Sequence, residues 1–273
     1  MSDNFTGNGT LLSVESLRIW LGSPAQEVVR GISFSIAPGE VVGLAGESGS
    51  GKSITSLALT RLLPVSANPA CTGTVHLRDL SDNLLGLPTR TLRRIRGHRI
   101  GYIFQEPSSS FNPVFTIGQQ LDEVLRVGGM GAGQRPAAIS RAMEEVGIEA
   151  TRENLRSYPG AFSGGMLQRM AIACALAGEP DLLIADEPTT ALDTTTQKRI
   201  TELLQRLNRD KGMAILFISH NLGLLKSVAN RLIVMRLGEI VEQGPTEEVL
   251  GNPQHAYTRT LIRAVPRLVA TSR

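Results

Sequence analysis

Apolar and polar residues alternate with a period of two over residues 11–19 (LLSVESLRI) and again over 28–37 (VVRGISFSIA), where the turn pair Pro38-Gly39 ends the run. Half-buried antiparallel strands produce that alternation, so two strands and a turn are expected here. VVGLAG at 41–46 is continuously apolar instead, as a strand covered on both faces must be. It leads into the loop Glu47–Gly51 and then into KSITSLALTRLL, whose helical spacing is expected to persist until Pro64. Further strands are expected near 73–78, 99–104, 181–186 (DLLIAD) and 213–219 (MAILFIS). Amphipathic helices are expected over Ile117–Val127 and Ala137–Val146, with the loop GGMGAG between them, and helices again at 195–208 and 221–229. Residues 231–244 read as a terminal hairpin turning at Leu237-Gly238. Strands alternating with helices predict an α/β fold with a parallel core, and the section 107–178 is long enough to form a helical lobe of its own.

With 273 residues, 41% hydrophobic and 19% charged, the chain can bury a sizeable core, which excludes a disordered or collagenous protein. The longest apolar run, Ala171–Gly178, is far short of the roughly 18 residues that cross a bilayer, so any work at a membrane is done from its edge. Residues 1–10 have neither the basic flank nor the apolar centre of a secretory signal and are expected to be a frayed tail. Two cysteines, Cys71 and Cys174, are too few for a metal site or a disulfide framework, and a reducing compartment fits them. The net charge is only +3. Its one concentration, Arg90, Arg93, Arg94, Arg96, His98 and Arg99, is expected to be an exposed basic face or a partner contact rather than a nucleic-acid site.

The strongest chemical signal is GESGSGKS, Gly46–Ser53, which matches G-x-x-x-x-G-K-[ST] with a buried strand before it and a helix after it. In such a phosphate loop, Gly46, Gly49 and Gly51 let the backbone turn its N–H groups inward, with Glu47, Ser48, Ser50 and Ile54 completing the wall. Lys52 carries a compact charge to the β and γ phosphates, and the Ser53 hydroxyl can ligate Mg²⁺. A second buried strand ends at Asp186, suited to organising the metal through its water shell, and is followed by Glu187, suited to orienting and polarising an attacking water. His220 follows a third buried strand and can hydrogen-bond a γ-phosphate, while Gln105, neutral and again at a strand end, can sense water or metal. In FSGGM, Ser163 can cap a helix starting at Gly164, and Gly164 and Gly165 leave that helix start open to an anion.

Taken together, GESGSGKS, Gln105, FSGGM, LLIADEPTTALD (182–193) and His220 resemble, in order and spacing, the ATP-binding subunit of ABC transporters over residues 11 to about 244. The resemblance implies a P-loop NTPase (RecA-like) core with an antiparallel β subdomain and an inserted α-helical subdomain at about 107–178. The ATPase domain would span 11–250, with 251–273 as a C-terminal extension. It implies ATP and Mg²⁺ as cofactors, with Ser53, Gln105 and Asp186 around the metal. It also implies a head-to-tail dimer in which Ser163, Gly164 and Gly165 of one subunit close on the γ-phosphate held by Lys52 of the other. Asp193 resembles the aspartate at that dimer seam, and Trp20 the aromatic that stacks on adenine.

IFQEPSSSFNPVFTIGQQ (103–120), YPGAFSGGMLQR (158–169) and GNPQHAYTRTLI (251–262) are similar to the importers of dipeptides, oligopeptides and nickel, whose tail carries Asn-Pro-x-His-Pro-Tyr-Thr. Ala256 stands here in place of that proline. Longer members continue through a cysteine-containing extension; this sequence runs to Arg273 without one, so no iron-sulfur cluster is expected. The branch implies a second, non-identical ATPase subunit, two transmembrane permease subunits and an extracytoplasmic solute-binding protein acting through them. The chain would then sit peripherally on the cytoplasmic face of the inner membrane, with no nucleic-acid partner. The alternative is a soluble ABC-type ATPase of DNA repair or regulation, but no heptad run and no cysteine pair separate Gln105 from Ser163, where such proteins carry a coiled coil or zinc modules.

Overall fold

The computed structural model describes residues 9–264 apart from Ala191. The expected tail up to residue 8, and the end of the expected extension from residue 265, lie outside the described residues.

The two alternating segments form β1 (Leu12–Leu21) and β2 (Gln26–Ile36), paired antiparallel. A third strand, β4 (Ala70–Leu77), pairs with the other edge of β1 and completes a sheet of order β2-β1-β4. The continuously apolar segments are β3 (Val41–Ala45), β6 (Leu182–Asp186) and β7 (Ala214–Ile218). With β5 (Ile100–Ile103), β8 (Arg231–Arg236) and β9 (Glu239–Pro245) they make a six-stranded sheet of order β5-β6-β7-β3-β8-β9, parallel except for the β8–β9 hairpin. Every residue of β3, β6 and β7 is buried because each face has its own cover. Val42, Leu44, Ile184 and Ile218 pack toward the small antiparallel sheet, while Ala45, Leu183, Ile215 and Phe217 pack toward the helices.

The helical lobe holds α3 (Ile117–Val127), α4 (Arg135–Glu145), α5 (Arg152–Arg156) and α6 (Gly164–Leu176). The start of α3 is set locally: the Thr116 hydroxyl accepts from the Gln119 amide while the Gln119 side chain accepts from the Thr116 amide, a reciprocal capping box. The remaining helices are α1 (Lys52–Leu59) and α2 (Thr89–Ile95), then α7 (Thr194–Lys211) and α8 (Leu222–Val228), and finally α9 (Thr246–Gly251) and α10 (Ala256–Arg263).

Three expectations differ from this picture. α1 stops at Leu59 rather than running to Pro64, because Arg61 adopts φ 51 and the Leu62 amide turns back to the Leu57 carbonyl at 2.8 Å. This is a left-handed C-cap built on a non-glycine residue. The basic cluster is only partly a surface. Arg96 donates to the Thr60 and Arg61 carbonyls at 2.8 and 2.7 Å, closing the open end of α1, and Arg99 pairs with Asp181. Helices α2, α9 and α10 occupy segments where none was expected. Cys174 lies partly buried on α6, and burial pushes its thiol up to about 12.

Gly178, just beyond α6, meets the β5 end of the sheet: a Cβ there would lie 1.7 Å from the Gly97 carbonyl oxygen. Gly178→Ala must therefore push the lobe off the core, lowering the unfolding free energy by about 1–3 kcal/mol in urea titrations. Gly160→Ala, where a Cβ meets nothing within 4 Å, is the control and should leave the midpoint unchanged.

Candidate active site

The loop between β3 and α1 curls around the Lys52 side chain. Lys52 Nζ donates to the Gly46 and Glu47 carbonyls, both at 2.8 Å, and lies 3.4 Å from Ser50 Oγ. Burial holds its pKa below the ordinary lysine value, opposed by the charges of Glu187, Asp186 and Glu47. Gly46 has φ 151, and a Cβ on it would lie 2.3 Å from the Met235 carbonyl oxygen, so only glycine brings the loop this close to β8. Ser50, Gly51 and Lys52 are buried, Ser53 and Ile54 are half-buried, and Glu47, Ser48 and Gly49 are exposed along the rim.

β6 lies two strands from β3 and brings its end to the same sheet edge. Ser53 Oγ donates to Asp186 Oδ1 at 3.0 Å. Burial raises the Asp186 pKa, although the hydrogen bonds from Ser53 and Tyr102 act the other way. Glu187 leaves the strand with φ 46, which swings its carboxylate away from that of Asp186. Gln105 Nε2 and Thr190 Oγ1 donate to Glu187 Oε2 at 3.1 and 2.9 Å, and His220 Nδ1 lies 3.0 Å from Oε1. Burial would raise the Glu187 pKa, but the hydrogen bonds from His220 and Thr190 and the charges of His220 and Lys52 outweigh it and hold it below the ordinary glutamate value. Adjacent carboxylates thus have pKa values displaced in opposite directions, as separate roles require.

Lys52, Ser53, Asp186, Glu187, Gln105 and His220 are therefore brought together by hydrogen bonds or by charge. Trp20 stands half-buried on β1 opposite Glu27, one residue from Val28, whose carbonyl borders Gly51. Ser163 caps α6, its hydroxyl accepting from the Met166 amide at 3.4 Å, with Ser163 and Gly164 exposed. Asp193 caps α7, accepting from Thr195 and Thr196 at 3.0 Å through one oxygen. A Cβ on Gly165 would meet the Thr196 side chain at 3.1 Å, so the starts of α6 and α7 stand side by side. Among the described residues, no hydrogen bond joins Ser163 to Lys52.

Residues 29–190 match the family described as ABC transporter, and residues 241–273 match the oligopeptide/dipeptide transporter C-terminal region. A putative peptide import ATP-binding protein of Brucella ovis is 46% identical over 265 residues, covering 94% of this chain and 78% of that protein. The chain belongs to the ABC transporter ATP-binding family. It is thus an ATPase, and membership carries association with membrane-spanning permease components. The glutathione import ATP-binding protein GsiA of Escherichia coli O157:H7 is 42% identical over 96% of this chain, which spans 43% of that relative. Among solved structures, the dimeric ATP-binding cassette MJ0796 in a post-hydrolysis state with ADP and phosphate superposes with a TM-score of 0.74 at 26% identity. That match covers 86% of this chain and 99% of the cassette. Among the described residues, no helix is long and apolar enough to cross a membrane.

Two polar partners of this site, Thr190 and Tyr102, are not expected from the sequence. Thr190 lies within LLIADEPTTALD, but its bond to Glu187 depends on the turn after β6. Tyr102 sits inside the short strand β5, where an aromatic reads as packing. Its hydroxyl instead donates to Asp186 Oδ2 at 3.2 Å and lies 2.8 Å from Ser56 Oγ. Burial, then the Asp186 charge, raises the Tyr102 pKa, keeping it a donor. Tyr102→Phe should cost about 1–3 kcal/mol of unfolding free energy at neutral pH. Because the Tyr102 hydrogen bond favours the ionised carboxylate and so lowers the Asp186 pKa against burial, the penalty should shrink as pH falls and the carboxylate gains a proton. A pH-independent difference in urea titrations would reject the coupling.

Proposed function

We propose that this chain is the ATP-hydrolysing subunit of an importer for peptides or a related small solute, nickel included, held peripherally at the cytoplasmic face of the membrane by two permease subunits. The match of residues 241–273 to the oligopeptide/dipeptide transporter region carries the solute class, and the likeness to a putative peptide import ATP-binding protein supports it. An extracytoplasmic binding protein would deliver the solute. Residues 11–250 form the ATPase domain in this reading, with the helical subdomain at about 107–178 and 251–273 as the extension.

The loop Gly46–Ile54 binds the phosphates through its N–H groups and Lys52, and Trp20 covers the adenine. Ser53 and Asp186 offer hard oxygen donors 3.0 Å apart, with Gln105 nearby on Glu187, a set that fits Mg²⁺. The metal, when bound, would neutralise charge on the transferring phosphoryl oxygens. Glu187, ionised at neutral pH, accepts a hydrogen bond from the attacking water and orients it. His220 and Gln105 report the state of the γ-phosphate to that carboxylate, since both already touch it.

Lys52→Ala should weaken ATP binding and turnover together. Glu187→Gln should bind ATP normally but hydrolyse it about 10²-fold more slowly, because the amide cannot accept the water's proton. A Glu187→Gln protein with wild-type turnover would remove Glu187 from the chemistry.

The exposed start of α6 also fits a composite site, in which Ser163, Gly164 and Gly165 approach the phosphate held by a second, non-identical ATPase subunit, with Asp193 at the seam. ATP would close the pair by touching both faces, and hydrolysis would release it. Ser163→Arg in this chain, mixed with a wild-type partner, should abolish turnover in the partner's cradle and spare the cradle holding this chain's Lys52. Loss in its own cradle instead would overturn the head-to-tail arrangement.

A further inference from the structure

The exposed rim of the phosphate loop is tied down by a residue far along the chain. The Glu47 amide, the first after Gly46, donates to Tyr257 Oη at 3.0 Å. Tyr257 belongs to α10, is only 6% exposed, and reaches the loop from the C-terminal segment. Its own position is fixed from three sides. The Arg236 guanidinium sits over its ring, 5.0 Å from the centroid. The Tyr257 amide donates to His255 Nδ1 at 3.1 Å. The preceding turn is anchored to β9, where the Glu242 carboxylate accepts from the Gln254 and His255 amides at 2.7 and 3.1 Å. Arg236 ends β8 at the hairpin turn, and the next turn residue but one, Gly238, donates its amide to the Ser50 carbonyl at 3.0 Å. The hairpin and α10 thus grip the loop at Ser50 and at Glu47.

We propose that Tyr257 is a positioning residue of the phosphate loop, its phenol holding the Glu47 amide so that the loop presents its N–H groups to the nucleotide already ordered. This rests on the assignment of Gly46–Ser53 as the phosphate cradle. Glu47, Ser48 and Gly49 are exposed and have little packing to hold them, so each fixed hydrogen bond removes freedom that a phosphate would otherwise have to freeze out on binding. The C-terminal segment thereby acts at the nucleotide site, setting ATP affinity from outside the loop.

Tyr257→Phe in the full chain keeps the ring, its burial and the Arg236 contact, and removes only the acceptor. The MgATP dissociation constant, measured by titration, should rise about threefold to tenfold, the loss of one hydrogen bond, while Tm stays within about 2 °C. In the assembled ATPase the defect should fall on KM for ATP more than on kcat. Amide hydrogen exchange should quicken at Glu47–Ser50 and not across the core. Unchanged ATP affinity overturns the proposal, whether or not Tm falls. If affinity and Tm fall together, faster exchange confined to the loop supports it and faster exchange throughout the core overturns it. Lys52→Ala, titrated in parallel, separates the two levels: its failure to weaken ATP binding would refute the cradle itself, whereas its expected loss beside a normal Tyr257→Phe refutes only the role of Tyr257.

Discussion

A buried ammonium needs acceptors, and Lys52 takes them from the carbonyls of the loop it must organise. Its bonds to Gly46 and Glu47 curl the chain into a ring around the ammonium. That ring can form only if the segment before it is immobile and the helix after it begins at once. β3, buried on both faces in the centre of the sheet, supplies the first condition, and α1, starting at Lys52 itself, supplies the second. The close approach of Gly46 to Met235 then fixes the loop against β8. The parallel sheet, its two covers and the hairpin are all arranged around holding one cation in place.

The same sheet edge separates two adjacent acids. Asp186 is the last residue of a fully buried strand, so desolvation dominates and raises its pKa, while Ser53 and Tyr102 occupy its two oxygens. Glu187, one residue later, turns through a left-handed conformation into a ring of donors and is held ionised. A regular strand would send these side chains to opposite faces of the sheet. The local turn keeps both at the edge while pointing them at different partners. That left-handed conformation is costly for a residue with a Cβ, and the contacts of Glu187 with Gln105, Thr190 and His220 hold it in place.

The rim of the cradle draws on the far end of the chain. Gly238 and Tyr257 reach Ser50 and Glu47 across most of the sequence, so the terminal hairpin and α10 belong physically to the site. An ATPase whose phosphate loop is braced by α10 has a route by which anything docking on that helix alters nucleotide binding.

Periodicity sufficed for much of this architecture: β3, β6 and β7 announce themselves as continuous apolar runs because burial on both faces permits nothing else, and Ile117–Val127 shows its apolar stripe and capping box locally. The phosphate loop was legible for a similar reason, since its geometry depends on glycine and lysine at fixed short spacing. Tertiary structure decided the rest. The end of α1, set by the left-handed Arg61, is closed by Arg96, distant in sequence, which takes the Thr60 and Arg61 carbonyls, and those two bonds tie part of the basic cluster to the fold. Thr190 and Tyr257 lie inside recognisable motifs and Tyr102 inside a short strand, yet the contacts of all three are invisible in the sequence, because a hydroxyl becomes a site residue only when folding places a partner within hydrogen-bond reach. Local sequence determines which backbone conformations are affordable, whereas the partner of a single polar atom is settled by which strands and helices happen to meet at one edge of the sheet.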